Sequence, residues 1–176
     1  MADAASGAVA RGRDVTTDHL GGRLEERGLL VGFSDWYRGV IVNKVDGLSL
    51  EDATRVMTPT GLSPLGIVAH LAACEVGWFI ETFGGQPVDP MWDDYGEFQL
   101  RGDDTVEAIL AMYAESCDRA RAVVEHTESL DQLSADPHHA WGHVTLRWVL
   151  LHMLEETARH AGHLDIMREQ IDGKTG

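Results

Sequence analysis

Close to the C-terminal end, the stretch LLHMLEETARHAGHLD (150–165) sets His152, Glu156, His160 and His163 into an otherwise apolar run. With His152 placed at about 0° on a 3.6-residue helix, Glu156 falls at about 40°, His160 at about 80° and His163 at about 20°. The four share one quadrant and extend over roughly 16 Å of helix. Glu155 and Arg159 lie beside that stripe, at about −60° and −20°. Imidazole and carboxylate groups one turn apart are neighbours, so such a line can offer two donors to one divalent ion. A solvated polar face is the plainer reading, but such faces usually mix in lysine, and this stripe has none. Glu155 and Arg159 also suit an ordinary surface ion pair.

Two donors rarely hold a divalent ion tightly, and in helix bundles the remaining ligands come from a facing helix. His70, in GIVAHLAACEVGWF, is the candidate, although a lone histidine on an apolar helix is more commonly a hydrogen-bonded core residue. Cys74, four residues further, is either a soft alternative ligand or a small core residue. Other metal chemistries lack their motifs. HExxH is absent, which removes the zincin proteases, and the paired Glu-x-x-His motifs of di-iron bundles are missing. With only Cys74 and Cys117, far apart, neither a zinc ribbon nor a disulfide framework is available, and a reducing cytoplasm suits the chain. His138, His139 and His143 read as loop residues, and Glu75 is a weak option for a general base.

The elements that must position these groups are helical. Apolar spacings of three and four recur in four windows, and no alternating strand pattern is found. The first spans about Glu25 to Val45, followed by Gly47 as a stop and a short turn started by Ser49. The second opens with Ser63 as N-cap and Pro64 at the first helical position, and stops at Gly84-Gly85. Residues 84–103 form a long connection with two prolines, four glycines and the aromatics Trp92, Tyr95 and Phe98, which either wall a site or pack in the core. The third helix runs from about Asp103 to Ser129, and the fourth from Thr145 to about Ile171. An all-α four-helix bundle with long connections follows. Residues 1–22 read as a flexible leader and 23–176 as one domain.

The formal net charge of −15 would repel a phosphate backbone or an anionic bilayer surface, so neither nucleic acid nor membrane is an expected partner. No apolar run approaches the roughly 20 residues needed to cross a bilayer, and no secretory signal is seen.

With these motifs in view, the chain resembles the DinB-like (damage-inducible) superfamily of metal-binding four-helix bundles over about 25–171. The resemblance rests on DWYRGVIVNKVDGLS, GIVAHLAACEVGWF and HMLEETARHAGHLDIMRE. It is greatest to a branch common in high-GC actinobacteria, related to mycothiol-dependent maleylpyruvate isomerase-like proteins. It implies a divalent ion, Zn or Ni, on His70, Glu156 and His160, with glutamate at the position that is histidine in many members. His163 stands where glutamine is frequent, and it and His152 are expected as neighbours of the ligands or as alternative ligands. The implied function is a metal-dependent transferase or isomerase using a low-molecular-weight thiol such as mycothiol on an electrophilic substrate. Arg159, with Arg147, is the expected anchor for an anionic substrate. The competing reading is a non-catalytic stress-response or binding bundle that metal only stabilises. A homodimer through Trp36, Tyr37 and Trp148 is a further expectation.

Overall fold

The structure is a computed structural model that describes residues 24–175; the leader expected at 1–22 lies outside the described residues. Four long helices carry the fold, as the apolar spacing predicts. Helix α1 spans Glu26–Val45, α3 spans Pro64–Glu75, α5 spans Val106–His126 and α6 spans Leu146–Asp172. Two short helices fill connections: α2, Leu50–Thr54, and α4, Met91–Gly96. Among the described residues there is no strand, only two isolated bridges, Leu133–Thr145 and His138–Gly142.

Helix starts follow local chemistry. The Ser49, Ser63, Thr105 and Thr145 hydroxyls each accept a backbone N–H inside the first turn, of Asp52, Gly66, Ala108 and Trp148. The end of the second window is less regular. After Glu75 the helix widens into a π segment, Val76–Phe83. Gly85, at φ +62°, then turns the chain where a Cβ would meet Ala135 at 2.8 Å.

The most extensive packing is α1 on α6 and α3 on α5. The interior divides into two apolar clusters. One holds Ile41, Val45, Leu71, Ile109 and Leu164; the other holds Leu30, Val76, Phe79, Val149 and Met153. Between them on each long helix lies a buried polar residue: Arg38, Glu75, Ser116 and Thr157. At this waist Arg38 donates to Glu75 through Nε (2.7 Å) and Nη2 (2.6 Å). The combined helix Pro64–Phe83 reaches 20 residues with a mean hydropathy of 1.3, so one segment is long enough to cross a bilayer, contrary to the sequence expectation. Its apolar residues face the core, and 72% of that window is buried inside the fold.

Candidate metal centre

Helix α3 presents His70 to α6, where Glu156 and His160 sit one turn apart. Glu156 Oε1 lies 3.3 Å from His70 Nε2 and 3.1 Å from His160 Nε2, and one donor atom from each residue falls within 4.8 Å of the others. Donors bonded at roughly 2.0–2.2 Å in a tetrahedral shell stand about 3.3–3.5 Å apart, so the set fits a zinc-like ion. The three side chains are 13%, 15% and 5% exposed, so the set is largely buried with His70 and Glu156 reaching the surface.

The ring orientations are held from outside. His70 Nδ1 meets the Gly96 carbonyl at 2.7 Å, and a carbonyl only accepts, so Nδ1 carries the hydrogen and Nε2 faces the carboxylate. Two acceptors facing each other require a proton or a cation between them. In the metal-free protein it is a proton. Burial works against a charged His70, but hydrogen bonds with Cys74 and Glu156 outweigh it and push its pKa up to about 10. Hydrogen bonds from His160 and then His70 hold the Glu156 carboxyl well below the usual carboxylate range, despite its partial burial. The other carboxylate oxygen, Oε2, accepts from Arg159 Nη1 at 2.8 Å, so the arginine steadies the carboxylate from its outer side.

His163 joins this arrangement through His160, with the two Nδ1 atoms 3.3 Å apart. Burial, and then the nearby His160, lower the His163 pKa. The long connection closes one side. Phe98 stacks on His70, ring centroids 4.0 Å apart, and does so with a backbone φ of 63°, a strained value for a phenylalanine. Of the other two aromatics of this connection, Tyr95 is buried and donates to Asp104 Oδ1 at 3.0 Å, and Trp92 packs on both apolar clusters.

His152 shares the quadrant but not the site. It sits one turn before Glu156, its Nδ1 is 3.9 Å from Glu155 Oε2, and its ring stacks on Trp148 at 4.9 Å. Arg147, expected beside Arg159 as an anion anchor, is engaged by Glu26 at 2.7 Å and by Asp131. Glu75, weighed as a base, is 1% exposed and locked to Arg38, so it is a structural partner instead. Cys74 is half-buried with Sγ 3.4 Å from His70 Nε2, at the site rather than deep in the core. His143 donates to the Ser134 carbonyl at 2.8 Å, while His138 and His139 pack against each other and are not among the three donors. Trp36 and Tyr37 meet edge to face at 4.7 Å, and Trp148 is half-buried among other rings. The Phe98 stack, the Gly96 carbonyl and the Arg38–Glu75 lock join distant segments, and no local spacing signals them.

A search of the curated proteins finds no match. The family model of the mycothiol-S-transferases matches residues 29–173, a span that takes in nearly all of α1, the whole of α3, α5 and α6, and all three donors. A match over most of the chain, on an all-α bundle of the expected kind, places the protein: it belongs to the mycothiol-S-transferase family, which is DinB-like.

Proposed function

We propose that the protein is a divalent-metal-dependent transferase that uses a low-molecular-weight thiol, mycothiol by its family, on an electrophilic small molecule. The observation that carries this is the His70–Glu156–His160 set, preformed at ligand spacing with its imidazoles oriented by Gly96 and His163. An ion on three protein donors keeps a position open, and a thiol bound there is held as the thiolate. Zinc or nickel suits two imidazoles and a carboxylate. The chain's own residues do the positioning: Arg159 fixes the Glu156 carboxylate, Phe98 covers His70, and the half-exposed face of Arg159 remains for an anionic group of either reactant.

Metal analysis of protein purified without chelators tests the reading. About one zinc or nickel per chain is expected, lost in His160→Ala, together with conjugation of mycothiol to electrophiles. Metal-free protein whose stability zinc does not change would sink it. Tight metal binding with no turnover across a panel of thiols and electrophiles would favour a bundle that metal only stabilises.

A further inference from the structure

A second group of side chains occupies the same α3–α6 seam and has no part in holding an ion. Trp78, Trp141 and Trp148 have ring centroids 5.1–6.0 Å apart. His138 stacks on Trp78 (4.7 Å) and on Trp141 (4.6 Å), and His152 meets Trp78 edge-on at 4.8 Å. The rings come from three segments: the π continuation of α3, the 137–143 turn and α6.

Its position follows from the helices. On α3 and its continuation, His70, Cys74 and Trp78 succeed one another every four residues. On α6, His152 precedes Glu156 by one turn. Because His70 faces Glu156 and His160 while Trp78 faces His152, the two helices run antiparallel, and the aromatic group adjoins the three donors about 6 Å along α6. A π segment turns less per residue than an α-helix and is often found at functional sites; here it carries Trp78. A tryptophan placed only to fill a core would be buried, yet Trp141 is 55% exposed while its ring stacks within the group.

We propose that this aromatic group is the subsite for the electrophile, and that it selects a neutral, planar aromatic ring. The proposal rests on the thiol-transfer reading above, since the second reactant must lie beside the thiol position. Indole and imidazole faces complement a flat π system in offset or edge-on packing, which an aliphatic chain does not exploit. Among the described residues no lysine or arginine stacks on these rings, so the group itself offers no cation to an anionic ring.

Isothermal titration calorimetry of the zinc-loaded protein with nitrobenzyl alcohol, an unreactive planar probe, tests this against cyclohexylmethanol and methyl glucoside. The aromatic probe should bind at least about tenfold more tightly than either, and Trp141→Ala should weaken it about tenfold. Trp148→Leu supplies a second variant, and melting curves check that both are folded. Equal affinity for the three probes, tighter binding of the glucoside, or unchanged affinity in both variants overturns the proposal. Zinc titration of the same samples separates the two readings. Normal zinc binding without aromatic selectivity removes this subsite alone. Trp141-dependent aromatic binding without zinc affinity upholds the ring site and removes the metal-based reading.

Discussion

The Arg38–Glu75 pair at the waist offers the sharpest test of what holds this bundle together. Arg38 is 7% exposed and Glu75 1%; two short hydrogen bonds join them, and Arg38 Nη1 also donates to Asp35 at 3.0 Å, whereas Glu75 has no other charged partner among the described residues. Arg38→Met would leave the carboxylate facing only the Cys117 thiol at 3.9 Å. Stranding one member of a buried pair costs about 3–5 kcal/mol, whereas replacing both with apolar side chains is often neutral or stabilising by about 1–4 kcal/mol. For a domain of this size each kcal/mol lowers the melting temperature by roughly 2–4 °C, so a drop of about 6–20 °C is expected for Arg38→Met. Glu75→Leu alone should cost less, because Arg38 keeps its ion pair with Asp35, and the double variant should recover most of the Arg38→Met loss. Urea unfolding of the four proteins yields the coupling energy, which should exceed about 3 kcal/mol. Single variants that lose less than about 1 kcal/mol, or a double variant that loses as much as both singles together, would refute the assignment of this pair as mutually dependent.

Three further expectations concern the metal centre. In metal-free protein, the stabilisation from depressed Glu156 is present above its unfolded value and lost as pH falls through the folded one; that from raised His70 is full below about 6.5 and lost as pH rises towards about 10. Melting in chelator should therefore be best near about pH 4.5–6.5 and decline above it, with added zinc offsetting the decline; a flat profile to about pH 9 would contradict the His70–Glu156 contact. His163→Ala should weaken zinc binding about 10–100-fold with little change in metal-free stability, and His163→Gln should restore part of it; equal zinc affinity in all three, by competition with a coloured chelator, would remove its orienting role. Gly66→Ala would bring a Cβ to 2.9 Å from the Phe98 carbonyl and from the Ser63 hydroxyl. Despite a gain of up to about 1 kcal/mol in helix propensity, a net loss of roughly 1–2 kcal/mol and weaker zinc binding should result, measured by melting and zinc titration.

What could be read in the sequence was local or periodic. Ser63 and Pro64 mark the start of α3 because a cap and a first-turn proline act within four residues. Glu156 and His160 emerge from helical spacing and family resemblance, and the structure sets them against His70 at ligand distance. Helix rise already sets His152 about 12 Å from His160, too far to share an ion with it, but spacing alone leaves a pairing of His152 with Glu156 open. Nothing in residue type announces the π segment, which depends on how Val76–Phe83 packs in the second apolar cluster. Glu75 invited a reading as a base because its partner, Arg38, lies 37 residues away. The tryptophan group was likewise invisible, being assembled from three segments that only the tertiary fold brings together.

Helix α1 contributes no donor to the metal centre, yet it is tied to both helices that do. Arg38 joins it to α3 immediately beside Cys74, and at its other end Lys44 pairs with Asp165 at 2.5 Å while Arg168 donates to the Lys44 and Asp46 carbonyls. It therefore acts as a ruler between two elements whose alignment decides whether His70 meets Glu156. Sliding either helix by one turn would break these arginine contacts, so alignment is enforced by groups outside the three-donor set. Keeping measure and presenting the donor set fall to different residues of this chain: Arg38, Glu75, Lys44, Asp165 and Arg168 for the first, His70, Glu156 and His160 for the second.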